Sequence, residues 1–368
     1  MFDLDRSKND TAITIDFLRA VAAQLVCVGH ALSFFLNWHP SNLPYMQNVG
    51  VLLFFLISGF LITHTLARKS NNPNYGFAQF FIERFSRIYS GLIPALLFVV
   101  FVDGITIYWA GAPDIARYYD LQTLLANLGM LTGYRGVFAS SLARSEFGSA
   151  SPLWTLAIEW HIYMFVGATF FAATRPKSIP FMLPLALIFS SNPIHYVFGS
   201  YQADGVGFGL FILWLLGALV YFIGLTSIRE RAPAASVGIL GCVVFVAITR
   251  GGHEYNLTSY FALFAAFFGV TTATQSLHQV TSTSLVRCIG FLADYSYSLY
   301  LIHYTLMYAL WVIFPTRGFA MFVLAVTASN AIAVGLAEIG EKQHRRLAKR
   351  LIAATNSLWS KVGPQHAR

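Results

Sequence analysis

The chain has 368 residues, of which 56% are hydrophobic and 11% charged, and its mean hydropathy is +0.60. A soluble domain carries about 25% charged residues, so this composition excludes a soluble globular protein and predicts an all-α integral membrane protein. The net charge of +8 follows membrane topology, and no nucleic-acid partner is expected. Cys27 and His30 are spaced C-x-x-H, but no second ligand pair accompanies them, so no metal site is expected.

Ten apolar runs predict a bundle of about ten transmembrane helices. They cover residues 14–36, 46–66, 88–110, 152–173, 178–191, 205–225, 233–249, 257–275, 288–313 and 319–338. The run 178–191 is short and contains Pro180 and Pro184, so a tilted, kinked or re-entrant segment also fits it. Segment 118–131 is helical in pattern but too short and polar to span, and we expect an outer surface helix there.

The distribution of positive charge predicts the orientation. With ten spans and the N-terminus inside, the C-terminus is also inside, and 19 of the 24 Lys and Arg residues face the cytoplasm, against 5 outside. The positive-inside rule therefore favours cytoplasmic termini in a multi-pass protein of the inner (cytoplasmic) membrane. We expect residues 1–340 to form the membrane domain and residues 341–368 a basic amphipathic tail on the cytoplasmic lipid surface.

The first apolar run carries an arginine and a histidine in DFLRAVAAQLVCVGHALSFF. Arg19 and His30 are eleven positions apart, almost three helical turns, so they share a face and differ in height by roughly 16 Å. That is about half the hydrocarbon thickness of a bilayer. Ionisable residues at that depth are costly and predict a functional site, although a lone histidine also serves as a helix–helix hydrogen-bond partner.

Small residues and a pair of arginines follow. Ser58 and Gly59 lie in the middle of the run GVLLFFLISGFLIT, where small residues allow close helix packing. Arg84 and Arg87 in FFIERFSRIYSGLIP are neighbours on one helix face. Guanidinium pairs clamp phosphates well, and they equally anchor a span at the cytoplasmic surface.

Two later spans also contain polar residues. Glu159 in SPLWTLAIEWHIY shares a face with Thr155, and its carboxylate needs a partner: it pairs with an arginine, orients a histidine or forms a purely structural salt bridge. In ADYSYSLYLIHY, the polar side chains of Tyr297 and His303 line a polar cavity or join helices by hydrogen bonds. We therefore include Thr155, Tyr297 and His303 as candidate cavity residues.

In this order and spacing, the motifs resemble the acyltransferase 3 family of multi-pass membrane O-acyltransferases. The resemblance rests on Arg19-x10-His30, GVLLFFLISGFLI, FIERFSRI, LWTLAIE and YSYSLYLIH, and it covers nearly the whole chain. The family often has Ser at position 155 and an acidic residue or Gln at position 160, where this chain has Thr155 and Trp160. Many relatives carry an appended extracytoplasmic hydrolase-like domain, and we expect this chain to act without one.

The resemblance implies transfer of an acyl group, usually acetyl, from cytoplasmic acyl-CoA to a glycan hydroxyl at the outer face. It also implies that His30 is essential, with Arg19, Arg84, Arg87 and Glu159 in support. The expected partners are therefore acyl-CoA as donor substrate, a glycan acceptor and the lipid bilayer, with no bound cofactor and no obligate protein partner. The acceptor candidates include polysaccharide, O-antigen, exopolysaccharide and a lipo-oligosaccharide such as a nodulation signal.

A mechanism consistent with this spacing has the three arginines holding the phosphates of CoA, with the pantetheine arm running along the first helix towards His30. His30 then acts as general base for the acceptor hydroxyl, with Glu159 as a candidate to orient its imidazole. Alternatively, His30 carries the acyl group between two half-reactions. The competing class is a transporter or flippase of a glycan or acyl carrier that uses the same buried polar residues as a pathway, and a purely structural scaffold is a third reading.

Overall fold

The computed structural model describes residue 4 and residues 9–136, 139–223, 231–275, 277 and 282–362. Within these ranges the chain is all-helical, with no β-strand and two short 3-10 turns at Pro176–Ser178 and Glu341–Gln343. The α-helices are α1 (Thr11–Leu36), α2 (Met46–Lys69), α3 (Phe77–Ala110), α4 (Pro113–Ala116), α5 (Leu121–Leu128), α6 (Ala139–Leu142), α7 (Leu153–Thr174), α8 (Ile179–Phe198), α9 (Leu210–Ile223), α10 (Arg231–Ile248), α11 (Leu257–Gln275), α12 (Thr283–Asp294), α13 (Ser296–Ile313), α14 (Phe319–Ile339) and α15 (His344–Val362).

The length and apolar character of these helices make the chain a multi-pass membrane protein. In the described ranges, seven helical segments are long and apolar enough to cross a bilayer, and α12 with α13 forms an eighth if that bent pair counts as one span. The helices α9 and α10 are apolar but shorter. The number of ten spans and the orientation of the termini remain predictions.

Segments 178–191 and 118–131 both contain helices, but these helices begin and end at different residues from those expected. The run 178–191 belongs to α8, which continues to Phe198 even though Pro184 and Pro193 lie inside it. Prolines are tolerated in membrane helices because neighbouring groups satisfy the freed carbonyls. Of segment 118–131, only the eight residues of α5 are helical, because the Asp120 carboxylate caps its start by accepting a hydrogen bond from the Thr123 backbone N–H at 2.9 Å.

The third span begins earlier than the apolar run 88–110 suggested. Helix α3 starts at Phe77, so Arg84 and Arg87 lie in its third turn rather than at its boundary. A hydropathy pattern ends where charges begin, whereas the hydrogen-bonded helix continues through them. Both guanidinium groups are therefore held on a rigid element.

Two other predicted spans are shorter or broken. The run 288–313 is divided at Tyr295, where α12 and α13 meet at a 52° bend. The run 205–225 begins as a glycine-rich turn, and α9 starts only at Leu210. An apolar run does not report such breaks, because both arms of a bent helix are equally apolar.

The crossing of α2 and α9 depends on two glycines. A Cβ atom at Gly59 would lie 1.9 Å from the carbonyl oxygen of Trp214, and one at Gly217 would lie 2.0 Å from that of Leu56. The two backbones are therefore in direct contact, as in small-residue packing of membrane helices. Next to this contact, the Trp214 indole N–H donates to the Ser58 hydroxyl at 3.2 Å. The expectation that Ser58 and Gly59 allow close packing is confirmed.

The end of α14 turns the chain back into the bundle. Gly340 follows α14, and a Cβ atom there would lie 2.5 Å from the carbonyl oxygen of Ser90 on α3. The 3-10 turn then buries Glu341, whose side chain is only 2% exposed. Helix α15 packs on α3. The first residue of the expected basic tail therefore belongs structurally to the bundle.

We predict that Gly59→Ala lowers the melting temperature of the purified protein. The added methyl group forces α2 and α9 apart, and overpacking of this kind costs about 1–3 kcal/mol or more. Gly335→Ala is the matched control, because in the described ranges its added Cβ meets no heavy atom within 4 Å beyond its chain neighbours and its own helix backbone. Thermal unfolding in detergent tests this, and equal melting temperatures for the two variants would contradict the described crossing.

Candidate functional site

Five of the predicted site residues line one cavity of about 150 Å³ between α1, α2, α3, α7 and α13. We call it the arginine cavity. Its lining residues are Arg19, Phe54, Ile57, Ser58, Leu61, Ile62, Arg84, Arg87, Ile88, Glu159, Tyr163, Ser296 and Tyr297. The structure thus brings Arg19, Arg84, Arg87 and Glu159 together, with the predicted cavity residue Tyr297 beside them.

Two of the three arginines share a buried carboxylate that the sequence did not single out. Glu341 Oε1 lies 3.1 Å from Arg87 Nη2 and 3.9 Å from Arg19 Nη2. Its other oxygen accepts hydrogen bonds from the backbone N–H and hydroxyl of Ser298, at 2.9 and 3.1 Å. Arg19 also lies 3.6 Å from the Asp16 carboxylate. Both guanidinium groups are therefore held in position by acids of the protein itself.

Arg84 differs from these two arginines. In the described ranges no carboxylate lies within ion-pair distance of it, and its buried Nε has no hydrogen-bond partner. Its guanidinium lies over the Phe80 ring, 5.9 Å from the ring centre. Arg84 is thus the cation of this cavity that is most available to an external anion.

Glu159 is held within the arginine cavity and does not reach His30. The Tyr163 hydroxyl donates to the Glu159 carboxylate, and the Ser58 hydroxyl lies 2.8 Å from the same phenol oxygen. No hydrogen bond or ion pair between Glu159 and His30 is found in the part of the chain described. The proposed orienting pair is therefore not formed, because α7 presents Glu159 to α2 and α3 at a different depth of the bundle.

His30 lines a second and much larger cavity of about 1080 Å³, which we call the histidine cavity. Its walls are rich in aromatic rings and side-chain amides. Its lining residues are Val26, His30, Ser33, Phe34, Phe35, Leu36, Asn37, Gln47, Asn48, Val51, Ser151, Pro152, Trp154, Gln202, Val206, Tyr255, Tyr300, Tyr304, Trp311, Arg317 and Gly318. Arg19 and His30 thus line different cavities, which agrees with their difference in height along α1.

Aromatic rings surround the His30 imidazole. Its ring centre is 5.3 Å from that of His303 and 5.1 Å from that of Tyr304. His303 is fully buried, and its Nδ1 lies 3.0 Å from the Leu299 carbonyl oxygen. The sequence candidates His30 and His303 are therefore neighbours across the α1–α13 contact.

A stacked pair of rings borders the same cavity. Trp154 and Tyr201 stack with ring centres 4.6 Å apart, and the Tyr201 hydroxyl donates to Glu146 in the loop before α7. Burial raises the pKa of Glu146 above its ordinary value. This contact anchors the loop that carries Gln202 and Val206, both of which line the cavity.

A small pocket of about 60 Å³ lies between the two cavities, and we call it the connecting pocket. It shares Val51 and Tyr300 with the histidine cavity, and Phe54, Glu159 and Tyr297 with the arginine cavity. Thr155 lines it too, and the hydroxyl oxygens of Thr155 and Tyr300 are 2.5 Å apart. The three spaces therefore follow one another through the bundle.

Several residues of this arrangement carry little signal in the sequence. Glu341 opens the run EKQHRRLAKR, where a single acid among bases resembles ordinary surface charge. Tyr163 follows Glu159 by four positions, a spacing that could have identified it as a partner on the same helix face. Tyr300 and Tyr304 flank His303 and carried no distinguishing signal among the eighteen tyrosines of the chain.

The described helices form a membrane bundle that carries the motifs of the resemblance, and comparison with known families identifies its class. Residues 13–338 match the acyltransferase 3 family, described as "Acyltransferase domain". The match covers most of the chain, so the protein belongs to this family.

Among its relatives is the peptidoglycan O-acetyltransferase OatA of Listeria monocytogenes, 28% identical over 80% of this chain and 49% of the relative. The O-acetyl transferase of Shigella phage Sf6 is 25% identical over 70% of this chain and 76% of the relative. Nodulation protein 10 of Rhizobium leguminosarum bv. viciae is 28% identical over 40% of this chain and 41% of the relative. This chain therefore spans about half the length of the Listeria relative. No solved structure matches it.

We predict that Glu341→Gln lowers the melting temperature more than Glu338→Gln does. Glu341 neutralises two partly buried guanidinium groups, whereas Glu338 forms an exposed pair with Lys342. Breaking a fully buried pair costs about 3–5 kcal/mol, and the partial exposure of the arginines reduces this. An exposed pair contributes about 0–1 kcal/mol. Thermal unfolding of both variants in detergent measures the difference, and equal values would show that Glu341 is not a structural anchor.

Proposed function

We propose that this protein is a membrane O-acyltransferase that moves an acetyl group from cytoplasmic acetyl-CoA to a hydroxyl of a cell-surface or secreted glycan. It belongs, in this proposal, to the inner (cytoplasmic) membrane, and it acts on polysaccharide, O-antigen, exopolysaccharide or a lipo-oligosaccharide. The names of its relatives support the acyl group and the acceptor class, since one is a peptidoglycan O-acetyltransferase and another a nodulation protein.

The observation that carries the proposal is the series of three spaces with different chemistry. The arginine cavity offers cations, and the histidine cavity offers a base among aromatic rings. The small connecting pocket between them is lined by apolar groups, hydroxyls and the Glu159 carboxylate. A donor with a phosphate head and a long thin arm fits the arginine cavity and the connecting pocket. An acceptor with many hydroxyls fits the histidine cavity.

The donor would enter at the arginine end of the bundle. Arg19, Arg84 and Arg87 are near the same end as Arg68 and Lys69, which the positive-inside rule assigns to the cytoplasm. Arg84 would bind a phosphate directly because it has no acidic partner in the described chain. Arg19 and Arg87, already paired with Glu341, would add positive potential and hold the cavity open.

The acceptor would enter the histidine cavity from the outer side. Its volume of about 1080 Å³ is at the upper end of the about 300–1,000 Å³ usual for ligand pockets, so it accommodates several sugar units. Trp154, Tyr255 and Trp311 offer faces for sugar rings, and Asn37 and Gln47 offer amides for hydroxyl groups. This combination suits a glycan better than an apolar metabolite.

In the proposed reaction, His30 takes the proton of the acceptor hydroxyl while the hydroxyl oxygen of the acceptor attacks the thioester carbonyl carbon. The new ester C–O bond forms, the C–S bond breaks, and the CoA sulfur takes up the proton from His30, so no net proton is consumed. The alternative route makes His30 the acyl carrier. Radiolabelled donor without acceptor separates the two: label on His30 supports the carrier, and unlabelled protein under competent conditions supports the general base.

A transporter or flippase of a glycan or acyl carrier is the second candidate, because it would use the same buried polar residues. The connecting pocket argues against it. Its volume of about 60 Å³ is far below the about 300–1,000 Å³ usual for ligand pockets, so we expect no sugar ring to pass through it. An acyl-pantetheine arm is thin and needs only to reach through, so it is compatible with a pocket of this size.

We predict that His30→Ala abolishes acetyl transfer while the protein still inserts and unfolds at a similar temperature. The variant removes the base but leaves the donor cavity intact. Purified membranes supplied with acetyl-CoA, followed by mass spectrometry of the glycans of the host, provide the measurement. His253→Ala, an exposed histidine, is the control and should retain wild-type transfer. Full activity in His30→Ala would overturn the mechanism, and no transfer by the wild type would favour the transporter.

We predict that Arg84→Ala raises the KM for acetyl-CoA about 10- to 100-fold with little change in kcat. A charge-assisted hydrogen bond of about 1.5–3 kcal/mol to a phosphate is lost, and this contact forms before the reaction. Arg287→Ala on the exposed face of α12 is the charge-matched control. An unchanged KM in Arg84→Ala would remove its role in phosphate binding.

A further inference from the structure

The base of the proposed reaction lacks the carboxylate partner that catalytic histidines usually have. In the described ranges, no Asp or Glu lies within ion-pair distance of His30, and no hydrogen bond reaches its ring. Glu159, the carboxylate expected to fill this role, is bonded to Tyr163 in the arginine cavity. A general base that takes a proton still needs an acceptor for its second ring N–H.

The neighbouring imidazole has the free acceptor that this role requires. His303 Nδ1 lies 3.0 Å from the Leu299 carbonyl oxygen. A carbonyl only accepts hydrogen bonds, so Nδ1 carries the proton and Nε2 of the neutral ring is an acceptor. Nε2 is buried and has no partner in the described chain. A buried, unpaired acceptor costs free energy, so it calls for an explanation.

The two rings are close enough to work together. Their centres are 5.3 Å apart with a 32° angle between the ring planes. No direct hydrogen bond joins them in this structure, and at this separation a small rotation of His30 or one bridging water suffices. Tyr300 is the other titratable ring facing His303, and its hydroxyl is engaged with Thr155. The acceptor Nε2 is therefore available to His30.

We infer that His303 is the positioning partner of His30 and replaces the carboxylate of a catalytic triad. As His30 takes the proton of the acceptor hydroxyl, its second ring N–H donates to His303 Nε2, directly or through one water. The proton on His30 then passes to the departing CoA sulfur, so His303 gains no net proton. This inference rests on the proposed function and extends it to a second imidazole.

A neutral partner suits the depth at which these rings lie. A buried carboxylate would be a permanent charge inside the bilayer and would require a compensating positive charge. A neutral imidazole accepts a hydrogen bond from the transient cation and leaves the resting His30 neutral. The pair thus limits the cost of burying charge in the bilayer to the moment of reaction.

Two isosteric substitutions separate positioning from packing. His303→Asn places an amide near the Nδ1 position and keeps the bond to Leu299, but it has no acceptor directed at His30. His303→Gln places its amide oxygen near the Nε2 position. The control is His161→Asn, because His161 is equally buried and its Nδ1 lies 2.7 Å from the Ala157 carbonyl oxygen, yet it faces Tyr134 and Phe189.

We expect His303→Asn to lower kcat about 100-fold with an unchanged KM for acetyl-CoA, and His303→Gln to recover most of the loss. His161→Asn should lower the melting temperature to a similar extent as His303→Asn but leave kcat near wild type. Wild-type kcat in His303→Asn, or equal loss in both folded His303 variants, would overturn the inference. If His303→Asn fails to fold, a folded but inactive His303→Gln overturns it, and an active one supports it. Absence of transfer by the wild type would instead refute the proposed function.

Discussion

The ion pair between Glu341 and Arg87 holds together the end of the bundle on which the candidate site depends. Glu341 begins the 3-10 turn after α14, Arg87 is on α3, and Arg19 is on α1. Ser298 on α13 donates to the remaining carboxylate oxygen. Four helices are therefore fixed by one buried carboxylate. Without a counter-charge the guanidinium groups would repel each other and draw water into the bundle. With it, they form part of the wall of the arginine cavity. Arg84, which lies over the Phe80 ring, is the arginine there without an acidic partner in the described chain.

Much of this arrangement could be predicted from the sequence wherever the information is local. The eleven-residue spacing of Arg19 and His30 is a property of one helix, and the structure duly opens the two side chains onto different cavities. Arg84 and Arg87 are likewise neighbours because of helical periodicity. Contacts between helices are a different matter, because they depend on which helices touch and at which depth. For that reason the expected pairing of Glu159 with His30 does not occur, whereas His303 lies beside His30.

Other differences have similar physical origins. Hydropathy does not distinguish a straight span from two helices bent by 52°, because the bend at Tyr295 changes direction and not polarity. The role of Glu341 could not be predicted from the sequence because its neighbours there are basic. Its burial also depends on Gly340, which allows the chain to contact α3. In both cases the decisive contact comes from a helix distant in the sequence. Local pattern identifies the elements, and tertiary contact determines how they share their polar groups.

The narrowness of the connecting pocket has a consequence for the membrane itself. An enzyme whose donor and acceptor come from opposite faces of a bilayer must contain a passage without becoming a leak for ions and protons. The contact between Thr155 and Tyr300, with Phe54 packed against the Tyr300 ring, reduces that passage to a pocket of about 60 Å³. A hydrated ion would lose most of its solvation there, and the carboxylate that lines the pocket, Glu159, is bonded to Tyr163. In the proposed function, the same constriction would admit the thin arm of the donor and preserve the electrical insulation of the membrane between catalytic cycles.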